Sequence, residues 1–242
     1  MKILAVIPSR YASTRFPGKP LVDIKGKTMI QRVYEQAKLC KSFAEVIVAT
    51  DDQRILKHVK TFGGKVMMTN ENHPSGTDRC AEVLSKLEEQ YDAVVNVQGD
   101  EPFIQPEQLE QLIECFKNPK TQIATLVKKI DTTDDLLNIN LPKVIFNKDM
   151  KALYFSRLPI PGQKSVDTEQ WVKNHPYYRH IGLYGYRASV LKEITQLPPS
   201  PLENIESLEQ LRWLEAGYTI TVAVTEFESI GIDTPGDLDK II

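Results

Sequence analysis

Strand-length apolar runs alternate with amphipathic helical patterns through the first part of the chain, and this alternation constrains the fold more than any other feature. Residues 3–7 are continuously apolar. From Thr28 onward, Met29, Ile30, Val33, Tyr34 and Ala37 recur with helical spacing. Residues 45–50 read as a second strand and 55–62 as a helix stopped by Gly63-Gly64. Residues 65–69 form a third strand, a helix runs through Cys80, Val83, Leu84 and Leu87, and 93–98 is nearly all apolar, as a central strand requires. The pattern predicts an α/β fold with a parallel, doubly wound sheet and right-handed crossovers.

Further along the pattern changes. Residues 106–116 read as a helix, 122–127 as a strand and 131–137 as a short capped helix. Residues 143–147 and 152–156 are two short strands joined by Asn147-Lys148-Asp149, a hairpin and not a βαβ unit. Residues 159–176 are irregular, and their prolines, Ile160 and Trp171 read as exposed groups of a partner arm. A strand at 180–186 and a helix at 190–197 follow. A helix over 207–216 carries a Ser207/Gln210 capping box, and 219–227 is a strand. Asp233 reads as the N-cap of a last helix, with Pro235 in its first turn. The reading is one α/β domain over 1–242, with 143–186 as its hairpin, arm and strand.

The 242 residues can bury a sizeable core without staples. A formal net charge of −2 argues against general nucleic-acid affinity. Cys40, Cys80 and Cys115 are far apart and read as buried hydrophobes in a reducing compartment. No segment has the length of a membrane span and the opening apolar run is too short for a signal peptide. The expectation is a soluble cytoplasmic protein with no nucleic-acid or membrane partner.

Chemistry concentrates where strands end. Residues 8–21 read Pro-Ser-Arg-Tyr-Ala-Ser-Thr-Arg-Phe-Pro-Gly-Lys-Pro-Leu, a loop after the first strand with Arg10, Arg15 and Lys19 among prolines and Gly18. In an open α/β sheet, ligands bind outside the carboxyl ends of the strands. Cations there suit a polyanion such as a nucleoside triphosphate. Neither a Walker loop nor a GxGxxG spacing is present. Asp100 follows the central strand, and a carboxylate beside phosphate calls for a bridging Mg²⁺. Ser75 opens a helix either as a plain cap or as part of a nucleotide site.

The loop motif resembles the opening signature of the 3-deoxy-manno-octulosonate cytidylyltransferase (CMP-Kdo synthetase) family. So do Ser75-Gly76-Thr77-Asp78-Arg79, Asn96-Val97-Gln98-Gly99-Asp100-Glu101-Pro102 and Tyr154-Phe155-Ser156-Arg157. Arg179-His180-Ile181-Gly182-Leu183-Tyr184-Gly185-Tyr186, Leu208-Glu209-Gln210-Leu211-Arg212 and Gly231-Ile232-Asp233-Thr234-Pro235 complete the family's order. The resemblance implies a nucleotide-diphospho-sugar transferase fold, with a Rossmann-like, mostly parallel central sheet. It also implies a homodimer built through the hairpin and arm, with 143–186 forming the sugar side and the interface. The implied reaction takes CTP and Kdo to CMP-Kdo and pyrophosphate, with Mg²⁺, for lipopolysaccharide biosynthesis.

By the same resemblance, Lys19, Asp100, Asp233 and Arg10 are catalytic, and Asp100 and Asp233 hold the metal. Arg10, Ser13, Arg15, Lys19, Ser75, Gly76, Arg79 and Gln98 bind the nucleotide. Arg157 takes the sugar carboxylate, and His180, Tyr184, Glu209 and Gln210 take its hydroxyls. Ser9 stands where alanine is common in the family. Glu101 stands where enzymes for the 8-amino sugar tend to carry Gln, which favours Kdo. The alternative is a cytidylyltransferase for a related acidic sugar, 8-amino-Kdo or a sialic acid.

Overall fold

The computed structural model describes residues 1–12, 16–228 and 231–238, and its packing forms two compact units. The first comprises Met1–Glu110, Gly185–Thr195 and Glu228–Ile242. Its chain runs β1 (Ile3–Ser9), β2 (Asp23–Ile24), β3 (Lys27–Thr28), α1 (Met29–Leu39), β4 (Phe43–Thr50) and α2 (Gln53–Thr61). Then come β5 (Val66–Met68), α3 (Gly76–Lys86), β6 (Ala93–Asn96) and α4 (Pro106–Glu114), within which the first stretch of this unit ends.

Strand β1 pairs in parallel with β4 on one side and β6 on the other, and β4 pairs in parallel with β5. Leu4, Ala5, Val6 and Ile7 of β1 have no exposure, as do Val94 and Val95 of β6. Each large aliphatic side chain so buried contributes roughly 1.5–3 kcal/mol. Helix α1 buries Met29, Ile30, Val33, Tyr34 and Ala37, the five residues its periodicity marks. Thr28 caps it by accepting the Gln31 N–H at 3.4 Å.

The β2–β3 hairpin is an element that the apolar periodicity does not announce. It turns at Lys25-Gly26, and the Gly26 N–H donates to Asp23 Oδ1 at 3.0 Å. Its effect is to bring Ile24 into a buried cluster with Met29 and Ile232, flanked by Phe16, Phe103 and Leu238.

The second unit comprises Gln111–Tyr184 and Gln196–Phe227. It contains β7 (Ile123–Ile130), α5 (Thr133–Leu137), β8 (Lys143–Phe146), β9 (Ala152–Ser156), α6 (Trp171–Asn174) and most of β10 (Tyr177–Arg187). After α7 (Ala188–Ile194), which belongs to the first unit, come α8 (Pro201–Glu206), α9 (Gln210–Glu215) and β11 (Ile220–Val224). Helix α10 (Pro235–Leu238) lies in the first unit. Strand β11 is parallel to β7, whereas β8 is antiparallel to both β9 and β10. The hairpin read at 143–156 is therefore present, with Val144 opposite Phe155.

Three expectations are corrected here. Trp171 is not an exposed arm residue: it stacks on Tyr177 at a centroid distance of 6.3 Å and packs with Ile130 and Leu136. Its Nε1–H donates to the Val166 carbonyl at 2.9 Å. Ser207 is not an N-cap. It ends α8 in the left-handed conformation, at φ 51°, and α9 begins only at Gln210. The capping box instead belongs to Ser200 and Glu203 at the start of α8, with Pro201 in the first turn. Finally, α10 begins at Pro235, two residues beyond Asp233. The Asp237 carboxylate reaches back to accept the N–H groups of Asp233 and Thr234 at 3.1 and 2.9 Å. Among the described residues, no helix is long and apolar enough to cross a membrane.

Candidate active site

The carboxyl end of β1 meets two other segments through very close backbone packing. A Cβ placed on Gly99 would lie 2.6 Å from the Pro8 carbonyl oxygen and 3.1 Å from Ser9 Oγ. Only glycine lets the chain after β6 approach this closely, and the approach carries Asp100 to the loop that follows β1. Gly76, in the first turn of α3, packs against the same proline, its added Cβ meeting Pro8 Cγ at 3.3 Å.

A cavity of about 410 Å³ opens there, lined by Ser9, Arg10, Lys19, Gln98, Asp100 and Asp233 together with small and proline residues. Lys19 Nζ donates to Asp100 Oδ2 at 2.8 Å and to Asp233 Oδ1 at 3.3 Å. Asp233 arrives because the Ile232 N–H donates to the Asp100 carbonyl at 2.9 Å while the Ile232 side chain is fully buried. Arg10 lines the cavity and is exposed. Ser13 and Arg15 lie outside the described residues.

The two carboxylates already converge on a cation, the Lys19 ammonium. Two carboxylates completed by phosphate oxygens and water are a donor set that fits Mg²⁺. Among the described residues no group of three or more His, Cys, Asp or Glu side chains is placed to ligate a metal, so the remaining positions would fall to substrate and solvent.

Ser75 is the N-cap of α3. Its hydroxyl accepts the Asp78 N–H at 3.3 Å and donates to Asp78 Oδ2 at 2.7 Å. Arg79 is expected at the nucleotide, but its side chain is only 1% exposed and is turned inward. It donates to Thr69 Oγ1 at 2.7 Å and pairs with Asp51, joining α3 to residues just beyond β4 and β5. That is the placement of a brace behind the first turn of α3.

The second unit holds a polar cluster around Tyr184. The Tyr184 ring lies 5.2 Å from His180 and meets Trp213 of α9 edge-on at 5.2 Å. Burial first, then the Glu209 charge, push its hydroxyl well above the usual tyrosine range. Thr125, a polar residue in the apolar strand β7, is fully buried at the centre of the cluster. Its hydroxyl donates to the carbonyls of Leu183 and Ile181, at 2.9 and 3.0 Å. It therefore accepts from His180 Nε2, 3.2 Å away, which leaves His180 Nδ1 as an acceptor. Burial pushes the His180 pKa down to about 3, so the ring is neutral at pH 7. Gln210 is buried, and its Nε2 has no hydrogen-bond partner among the described residues. Neutral donors and acceptors of this kind suit hydroxyl groups. Thr125 is a member that sequence reasoning missed; its one signal is a lone hydroxyl inside an apolar strand.

Arg157, expected at a carboxylate, is bonded to backbone. Its Nε, Nη1 and Nη2 donate to the carbonyls of Glu206, Ile139 and Ser207 at 2.6, 3.1 and 3.1 Å. The Glu206 carboxylate in turn accepts the Arg157 N–H at 2.9 Å and the Ser156 hydroxyl at 2.8 Å.

An α/β fold with a mostly parallel sheet, and a loop lysine paired with two carboxylates in one cavity, are the marks of a nucleotidyltransferase. Comparison with known proteins sharpens this. The family model described as cytidylyltransferase matches residues 4–223. A 3-deoxy-manno-octulosonate cytidylyltransferase of Phocaeicola vulgatus is 61% identical, covering 99% of this chain and 96% of its own length. One from Parabacteroides distasonis is 58% identical over 100% and 97%. A solved CMP:2-keto-3-deoxy-manno-octonic acid synthetase in complex with CTP superposes with a TM-score of 0.92 at 44% identity, over 100% of this chain and 97% of that one. The chain belongs to the cytidylyltransferase family, and within it to the 3-deoxy-manno-octulosonate cytidylyltransferases.

Proposed function

We propose that the enzyme transfers CMP from CTP to Kdo through the residues described above, with Lys19, Asp100 and Asp233 at the reacting end. The anomeric hydroxyl of the sugar attacks the α-phosphorus in line and pyrophosphate leaves. Such transfers depend on positioning and charge neutralisation. Lys19, Arg10 and Arg15 bind the triphosphate and stabilise charge building on the departing pyrophosphate, and Ser13 joins them. Ser75, Gly76 and Gln98 hold cytosine and ribose, and Arg79 keeps the first turn of α3 in place.

Asp100 and Asp233 would hold Mg²⁺, which when bound supplies Lewis-acid polarisation of the phosphate and lowers the pKa of the incoming hydroxyl. His180, Tyr184, Glu209 and Gln210 orient the sugar hydroxyls. Arg157 offers the acidic end of the sugar the two N–H groups that have no bond among the described residues, while fixing the turn before α9.

The observation that carries this reading is the ammonium of Lys19 held within hydrogen-bond distance of two carboxylates contributed by distant parts of the chain. The test is to mix the protein with CTP, Mg²⁺ and Kdo and follow pyrophosphate and CMP-Kdo. Parallel reactions with 8-amino-Kdo and a sialic acid separate the sugar alternatives. Turnover of either in clear preference to Kdo would overturn the assignment.

The working form in this proposal is a cytoplasmic homodimer joined through the β8–β9 hairpin. Strand β9 pairs with β8 alone among the described strands. Leu153 on β9 is 58% exposed and nearby Leu158 is 64% exposed. An unpaired edge with exposed apolar side chains is a surface that a second copy can cover. Light scattering that returns the monomer mass, 27.5 kDa, at micromolar concentration would refute it.

A further inference from the structure

We propose that Asp52, Arg54 and Tyr11 form a clamp that fixes where Arg10 and Lys19 stand, making Arg54 and Tyr11 positioning residues for the triphosphate. None of the three is assigned a role above.

The clamp is built from the start of α2. Asp52 is the N-cap of that helix, and its Oδ1 accepts the Arg54 N–H at 2.7 Å. The same carboxylate takes both edges of the Arg54 guanidinium, Nε at 2.9 Å and Nη2 at 2.6 Å. A guanidinium gripped at two points is fixed as a plane. That plane lies on the Tyr11 ring, with Arg54 Cζ 3.2 Å from the ring centroid.

Tyr11 in turn holds the far end of the loop. Its carbonyl accepts the Gly18 N–H at 2.9 Å. Gly18 has φ +73°, and a Cβ there would lie 3.1 to 3.3 Å from Tyr11 Oη, Cζ and Cε2, so the ring is packed against the glycine. Arg10 precedes Tyr11 and Lys19 follows Gly18, and both neighbours line the cavity. The two cations are therefore placed by one aromatic ring, and that ring is held by one arginine.

Arg54 is itself a poor candidate for a phosphate ligand. Its charge is balanced by Asp52, and committing two of its edges to that carboxylate leaves its stacking face as the working surface. Lysine cannot replace it, because a point charge cannot hold both carboxylate oxygens while lying flat on a ring.

The test has one readout that needs no substrate. Amide hydrogen exchange at Gly18 reports whether the Tyr11–Gly18 bond stays closed. Arg54→Ala and Tyr11→Ala should each speed that exchange about tenfold, as expected for loss of a cation–π contact. Tyr11→Phe, which keeps the ring, should retain slow exchange, and Arg54→Lys should behave like Arg54→Ala. The double variant should be no faster than either single one, since both remove the same contact.

In steady-state assays Arg54→Ala should raise the KM for CTP by a similar factor, with kcat within about twofold and the KM for Kdo unmoved. Arg54 is exposed, so its variants should fold, and they carry the test if Tyr11→Ala does not. Unchanged Gly18 exchange in Arg54→Ala overturns the clamp. So does a raised KM for CTP without faster exchange, which would make Arg54 a direct ligand. Because exchange is measured without CTP or sugar, failure of the clamp is distinguishable from failure of the substrate assignment.

Discussion

Ile232 donates its backbone N–H to the carbonyl of Asp100 at 2.9 Å, and its own side chain is sealed among Ile24 and Met29. One apolar side chain thus determines where Asp233 meets Asp100. The geometry of the acidic pair is set by packing on one side and by Lys19 on the other.

Asp100→Asn and Asp233→Asn should therefore each abolish product formation, by about a hundredfold or more, while the fold survives. Both carboxylates are part-exposed and pair with Lys19, so the stability cost should stay within about 1 kcal/mol. Urea unfolding and a pyrophosphate assay on the same preparations check the two halves of this statement.

Gly99→Ala tests the close approach that delivers Asp100. The new Cβ would lie 2.6 Å from a backbone oxygen, which no side-chain rotation can relieve. A cost of about 1–3 kcal/mol is expected, with a loss of activity larger than the stability change explains. Wild-type turnover in a well-folded variant would mean that the strand end can shift freely.

The imidazole of His180 has a pH signature. Its native pKa, about 3, lies below the unfolded value near 6.5. Below about pH 6.5 the unfolded chain binds a proton that the native state refuses, so stability falls as the pH drops toward 3. The contribution is fully present above about pH 6.5. His180→Gln should flatten that slope by up to one proton, read from urea midpoints across this range.

Ser207 sits at φ 51° and ψ 49°, where an L side chain is strained. Ser207→Gly should stabilise the protein by about 0.5–1 kcal/mol and raise the thermal midpoint slightly. A lower midpoint would show that its side chain supports α8 in a way its backbone does not reveal.

The parallel framework was legible because its elements are long and periodic. Burial in α1 falls on the residues that the 3.6-residue repeat marks, and the nearly all-apolar 93–98 run contains the buried strand β6. What escaped was short or local. Helix α8 has six residues and too little apolar content for periodicity, yet Ser200-Pro201-Leu202-Glu203 spells its start. Ser207 and Gln210 imitate the same box three residues apart, and the backbone instead uses Ser207 to close the preceding helix.

Trp171 looked exposed because its neighbours are polar, but its partners Ile130, Leu136 and Tyr177 are distant or differently patterned. At the site, Lys19 and Asp100 were legible from motifs at strand ends, whereas Asp233 joined them only through the family resemblance, since its own surroundings read as a helix cap. The inward turn of Arg79 was not legible, since Asp51 and Thr69 stand far from it along the chain.

Arg157 ties two stretches of backbone, at Ile139 and at Glu206-Ser207, with a single flat cation, and this limits what the position can accept. Lysine would keep the charge yet lose the fork, so an exchange usually regarded as mild should let the entrance to α9 sag. Glu209 and Gln210 stand at that entrance, and the damage would surface as poorer sugar affinity in an enzyme whose nucleotide affinity is intact.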